Sequence, residues 1–181
     1  MSRIDPIEYE QTTGDLRAIY DQGLVQYKRM TNMKRTMLHS LPTYHALVEW
    51  YPLFDTIEPF LGERLAIIFS HTISVEGDCL LCTTFMRRTL IEWGEDPNRL
   101  NLDEKGETLV EFGRAISRQG NRVSSELYRK VTSYFNTEQI VALTGFACLM
   151  IATNVFNNVL EVELDEYLYG YREGQSLQKK G

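Results

Sequence analysis

The sequence has no window of strict apolar–polar alternation long enough for a strand, and no internal repeat, low-complexity run or linker. Without alternation there is no case for a sheet, so the expected class is all-α. Without a linker, residues 1–181 are expected to form one domain, because two halves of this length would each be marginal. A basic patch is also missing. Lys and Arg total 19 against 25 Asp and Glu, for a formal net charge of −6, and they are scattered, which argues against nucleic acid or an anionic membrane as a partner. The opening MSRIDPIEYEQ has no apolar leader and carries acids early, so a cytoplasmic location is expected. Cysteine is scarce, with three in the chain, too few for a structural disulfide framework. Neither His39 nor His45 has a second His or Cys at a metal-binding spacing. A site made from Cys79, Cys82 and His71 would want a fourth ligand, so no metal or other cofactor is expected.

What is there is helical periodicity almost throughout, in a chain with 43% hydrophobic residues, too apolar for disorder. A first helix is expected from about Asp15, with Leu16, Ile19, Tyr20 and Tyr27 inward, running into the basic segment 28–35. Ser40-Leu41-Pro42 marks the start of a second, long helix carrying Leu47, Trp50 and Tyr51 and ending within 52–59. A third, with Leu65, Ile68, Phe69 and Ile73, should stop at 75–78, where Asp78 reads as the N-cap of a fourth that ends near Trp93-Gly94. A fifth is expected over 103–118, a sixth over 124–135, and a seventh from Asn136 or Thr137 to Leu160. The seventh is apolar nearly all round, as for a helix at the centre of a bundle or shared between subunits. Its most apolar stretch, 140–151, reads as too short and too interrupted to span a bilayer. The tail, 172–181, is polar and expected to fray.

Cys79 and Cys82 carry the chemistry. At i and i+3 in the first turn of the fourth helix they share a face, close enough for a disulfide. The free amides and dipole of a helix N-terminus stabilise a thiolate, and Arg87 and Arg88 stand about a turn further on. The bland reading is inert packing, which is also the reading for Cys148 among Phe146, Ala147, Leu149 and Met150. His39 and His45 read as surface or packing residues. Asn154, Asn157 and Asn158, at i, i+3 and i+4, read as a polar helix face.

The segments LHSLPTYHALVEWYPLF, GERLAIIFSHTISVEGDCLLC and NTEQIVALTGFACLMIATNVFNNVLEVELDEYL together resemble the carboxymuconolactone decarboxylase family and its AhpD-like alkylhydroperoxidase branch. The resemblance spans roughly 39–160. It implies an AhpD-like helical bundle of about six to seven helices that assembles as a dimer, trimer or hexamer. It also implies a peroxidase or thiol–disulfide oxidoreductase working through the Cys pair with a redox partner protein. The branch places a Glu twelve residues before the first Cys and a His four residues after the second, as a proton relay. Here those positions are Ile67 and Met86, and neither can move a proton. His71, one turn beyond Ile67 and nearer the Cys pair, is the candidate replacement, and Glu76 is a weaker one. A histidine hydrogen-bonded inside the bundle is the competing reading of His71.

Three functions remain open on these residues. The first is a thiol oxidoreductase in which Cys82 attacks and Cys79 resolves, as the branch implies, although the helix terminus favours Cys79 as the more activated thiol. The second is a catalytically degenerate member serving as an oligomeric binding or scaffold protein. The third, ranked last, is a lactone decarboxylase, which does not depend on a Cys pair.

Overall fold

A computed structural model describes residues 2–173, and the regular structure among them is entirely helical, with nine α-helices and two short 3-10 segments. After a 3-10 turn at Tyr9–Gln11, α1 spans Gly14–Tyr27. It ends where Lys28 turns left-handed, at φ 62, so the basic segment does not prolong it. Thr31 instead caps a separate short helix, α2 (Asn32–Met37), through the Lys34 N–H. The Ser-Leu-Pro start is as expected: Ser40 precedes α3 (Leu41–Val48), with Pro42 in its first turn. The long second helix is not continuous. It breaks at Glu49 and resumes as α4 (Trp50–Leu61). A single helix would need the amide of residue 52 to bond the Val48 carbonyl, and Pro52 has no N–H to give.

Gly62, at φ 79, supplies a left-handed turn into α5 (Glu63–Glu76). Then follow α6 (Leu80–Glu92), α7 (Glu104–Ser117), α8 (Ser125–Tyr134) and α9 (Thr137–Leu160). Asp103, Ser124 and Asn136 each accept the N–H three residues on, and Gln139 completes a capping box with Asn136. Each such cap contributes about 1 kcal/mol. A 3-10 segment, Glu166–Tyr171, folds back onto α6. Of the tail expected to fray, Arg172 and Glu173 follow this segment and the rest lies outside the described residues.

The centre of the bundle is α5, which packs against α4, α6, α7 and α9 and is buried without interruption over 66–74. Its polar residues survive there because the hydroxyls of Ser70, Thr72 and Ser74 donate to carbonyls four residues back, at 2.8, 2.9 and 2.9 Å. Phe69 stacks on Phe146 of α9 with centroids 6.2 Å apart, and truncating such a buried ring to alanine costs about 3–5 kcal/mol.

The apolar α9 buries Leu143, Phe146, Ala147 and Met150 against the bundle, yet leaves Val141, Val155 and Val159 more than half exposed. Cys148 is exposed with them. Its assignment to the core is therefore corrected: one residue beyond buried Ala147, it is turned about 100° away from the core-facing stripe. At 24 residues, α9 is long and apolar enough by length and composition to cross a bilayer. Its inner face packs against α3 to α8 within the chain.

Candidate active site

The site is built at the junction of α5 and α6. The Gly77 amide closes α5 on the Ile73 carbonyl at 3.0 Å, and the Cys79 amide reaches the Ser74 carbonyl at 3.1 Å. Asp78 does not cap α6 as expected. It sits in the left-handed region at φ 47, and the extended residue after it, Cys79, is itself the N-cap. The Cys79 sulfur accepts the Cys82 N–H at 3.4 Å, where a serine or aspartate oxygen would normally stand. The expected proximity of the two cysteines holds, with Cys79 one position outside the first turn. Both thiols are free and buried.

This geometry separates the two sulfurs electrostatically. The Cys79 thiol is held below its ordinary range because the Cys82 side chain donates to it, outweighing burial, and the Cys82 main-chain amide adds to this. The Cys82 thiol is pushed up for the matching reason: it is the donor to Cys79, and it is deeply buried. The pair is thus polarised, with the Cys82 S–H directed at the Cys79 sulfur and negative charge favoured on Cys79 over Cys82.

The three asparagines of α9 are not a plain polar face, because they hold this junction. Asn157 donates one N–H to the Cys82 sulfur at 3.2 Å and the other to the Met33 sulfur at 3.3 Å. Asn158 donates to the Gly77 carbonyl at 2.9 Å and Asn154 to the Ile73 carbonyl at 3.3 Å. The approach at Gly77 requires glycine, since a Cβ there would lie 2.7 Å from the Asn154 amide nitrogen. The side-chain oxygens of Asn154 and Asn157 are buried without a hydrogen-bond partner among the described residues.

Each thiol faces a different space. Cys79 lines a broad polar groove of about 740 Å³, shared with His71, Glu76, Asp78, Arg87 and Arg114. Cys82 lines a narrower cavity of about 70 Å³ on the other side of α6, walled by Trp50, Tyr51, Phe85, Met150 and Tyr167. Among the described residues, only Lys34 and Asp165 bring charge to that second space. Lys34 is 2% exposed, with its ammonium 4.0 Å from the Tyr27 ring centroid and 4.9 Å from that of Tyr51. Burial, against the attraction of Asp165, lowers its pKa to about 8.

His71 is buried and faces the groove with Cys79. Burial, and after it the Arg87 cation, lowers its pKa to about 4, so it is neutral at pH 7. No hydrogen bond joins it to either thiol among the described residues. Glu76 is engaged by Arg118 at 3.2 Å and Arg114 at 3.5 Å. Ile67 and Met86, at the positions of the branch's relay, are buried in the main core. Arg88 pairs with Glu92 at 3.6 Å and lies over the Phe85 and Tyr167 rings, so of the two neighbouring arginines it is Arg87 that lines the groove. His39 bonds the Asp5 carbonyl at 3.0 Å, and His45 packs on Tyr44. Among the described residues no three His, Cys, Asp or Glu side chains gather as a metal site.

No protein-family model and no curated protein matches the sequence. Solved structures do match the fold. The debrominase Bmp8, as a cysteine-to-alanine variant in complex with 2,3,4-tribromopyrrole, aligns over 91% of this chain and 92% of its own, at 11% identity and TM-score 0.75. The chain has an AhpD-like fold. The AhpD core of an uncharacterized peroxidase-related protein from Ralstonia eutropha JMP134 covers 93% of this chain and 95% of its own, at 12% identity and TM-score 0.75. A peroxidase-related protein from Silicibacter sp. TM1040 covers 93% and 91%, at 15% identity and TM-score 0.64. At these identities the likeness is one of fold.

Lys34, Trp50, Tyr51 and Asp165 line the Cys82 space and Asn157 bonds its sulfur, from α2, α4, α9 and the segment after it, too far apart in sequence for any motif. Only Asn157 had a signal, as one of three asparagines at helical spacing in an otherwise apolar helix.

Proposed function

We propose that the chain is an AhpD-like thiol–disulfide oxidoreductase in which Cys79 and Cys82 cycle between dithiol and disulfide. The observation that carries this is the Cys79 sulfur at the N-cap of α6, accepting the Cys82 amide, with each thiol opening onto its own cavity. Cys82 passes its proton to the Cys79 thiolate and attacks an oxidised substrate in the apolar cavity. Cys79 then displaces the product of that attack and closes the disulfide. With a hydroperoxide, two thiols and one peroxide give one disulfide, one alcohol and one water. His71 stays neutral in the groove and accepts a proton weakly. A thiol or dithiol of a redox partner enters by the polar groove and attacks at Cys79, a cycle that suits a reducing cytoplasm, the location proposed for the protein.

The aromatic walls around Cys82 favour a second substrate class for the same dithiol, a carbon–halogen bond as in the structurally similar debrominase. Replacing C–Br by C–H takes two electrons and one proton from the two thiols and releases bromide and a second proton, leaving the disulfide. The scaffold reading predicts neither reaction, and lactone decarboxylation has no use for the pair. Peptide mapping after mild peroxide treatment is expected to find Cys79 joined to Cys82, with reduction by dithiothreitol restoring turnover. Two free thiols after treatment overturn the proposal.

The proposed partner is a second copy of the chain, seated on α9. Val141, Gly145, Cys148, Ala152, Val155 and Val159 repeat at alternating steps of four and three, the seam of two helices packed together, and the three valines are exposed. Light scattering should give at least a dimer, and Val155→Glu a monomer; a monomeric parent protein overturns this.

A further inference from the structure

The aromatic cavity behind Cys82 holds a charge that the dithiol cycle does not use. Lys34 is 2% exposed, and no carboxylate pairs with its ammonium among the described residues. Its partners are the faces of Tyr27 and Tyr51, themselves stacked at 4.3 Å. Asp165 lines the same cavity. One of its oxygens accepts the Asn32 N–H at 2.9 Å, and the other is buried without a hydrogen-bond partner among the described residues. Asp165 attracts the Lys34 ammonium without closing an ion pair on it, and burial outweighs that attraction, while Arg29 and Arg35 act on the same carboxylate. A buried cation held by two rings and the pull of a shared carboxylate is costly to keep unless something else pairs with it.

From this cluster we infer that the cavity binds a small, planar, weakly acidic aromatic molecule as its anion, with the anionic atom on the Lys34 ammonium and the ring between Trp50, Tyr51 and Phe85, over Cys82. This deepens the proposed function by naming its substrate class, and it rests on that reading. A neutral hydrocarbon would leave the ammonium unpaired, and a cation would be repelled by it. A small hydrophilic anion would forgo the apolar walls. A cavity of about 70 Å³ suits a single ring, since one water takes roughly 10–15 Å³ by the same measure.

The test is a fluorine NMR titration of the reduced full chain at pH 7 with pentafluorophenol, which is ionised there, and with pentafluorobenzene, which has the same shape without the oxygen. The phenolate is expected to bind at least about tenfold more tightly than the arene and to slow alkylation of Cys82. Lys34→Met should abolish the preference by weakening the phenolate alone, and Lys34→Arg should retain part of it. Equal affinity for the two probes, no binding of either, or a preference that survives Lys34→Met overturns the inference. Should Lys34→Met not fold, the preference of the parent protein and the alkylation of Cys82 decide it. Disulfide formation without a phenolate preference defeats the inference alone. A Lys34-dependent preference with both thiols inert to peroxide defeats the dithiol function instead.

Discussion

The two spaces on either side of α6 differ in almost every physical respect although the sulfurs that line them are three residues apart. The groove at Cys79 is broad and polar, lined by His71, Glu76, Arg87, Arg99 and Arg114, with Arg118 also paired to Glu76. The cavity at Cys82 is small and aromatic, with one buried ammonium. The N-cap sulfur sits at the helix mouth beside the free amides and lines the groove, whereas the sulfur at the third helical position is carried round into the bundle. One Cys-x-x-Cys pair thus sets a sulfur whose charged form is favoured on the polar groove and one whose protonated form is favoured on the apolar cavity. The difference comes from helix geometry.

The largest effects are expected on removing each sulfur in turn. Cys82→Ser should abolish oxidation by an organic hydroperoxide, a loss on the order of 10⁴ or more. Cys79→Ser should still react once at Cys82 and stop at the sulfenic acid or its adducts. Mass spectrometry of the two variants after one equivalent of oxidant distinguishes them, and identical behaviour would mean that the two faces are not specialised.

A smaller effect concerns the cost of the cation on the apolar side. Burial lowers the Lys34 pKa from 10.5 to about 8, so the folded state disfavours the charged form. The penalty is fully present below pH 8 and is relieved as pH rises through 8 toward 10.5. A shift of this size corresponds to about 3 kcal/mol. Lys34→Met should therefore raise the melting temperature at pH 7 by several degrees and flatten the gain in stability that the parent shows between pH 8 and 10.5. An unchanged or lower melting temperature with no such gain would show that Lys34 is adequately paired.

The smallest effect is expected on the polar side, at His71. Its pKa is lowered from 6.5 to about 4, so folding favours the neutral ring. Stability should fall as pH drops from 6.5 to 4, where only the unfolded chain takes up the proton, and level off below that. So weak a base contributes little to proton transfer. His71→Gln should slow thiol oxidation by no more than about tenfold, short of the roughly 10²–10⁴ of a well-matched general base, while removing that acid sensitivity. A larger loss of rate, with the acid sensitivity intact, would make His71 the relay after all.

Much of the frame is legible along the chain because caps and breaks are local. Asp103, Ser124 and Asn136 start helices where their side chains meet the N–H three residues on, and the Cys pair is close for the same short-range reason. Pro52 is a further local signal, forbidding the amide that would carry one helix past Glu49, whereas nothing in Lys28 itself announces that it ends α1 left-handed. Asp78 and Cys148 misled for different reasons. An aspartate is the better cap by chemistry, yet the turn out of α5 puts Asp78 left-handed and hands the cap to Cys79. Apolar neighbours cannot say which face of an almost uniformly apolar helix turns inward, so Cys148 reads as core and lies outside.

The all-α class, the principal helix starts and the i,i+3 dithiol follow from the chain alone, since each depends on bonds within a few residues. What surrounds that dithiol is set by long-range packing. Lys34 and Asp165 are 131 positions apart in the chain, and they, with Trp50, Tyr51 and Asn157, meet at Cys82 because α2, α4, α9 and the returning 3-10 segment pack around α6 and its neighbours. Burial lowers the pKa of Lys34 in that cavity and of His71 in the groove, and adds to the rise that the bond to Cys79 imposes on the Cys82 thiol. Desolvation depends on every atom packed nearby, and no local pattern in the chain encodes that sum.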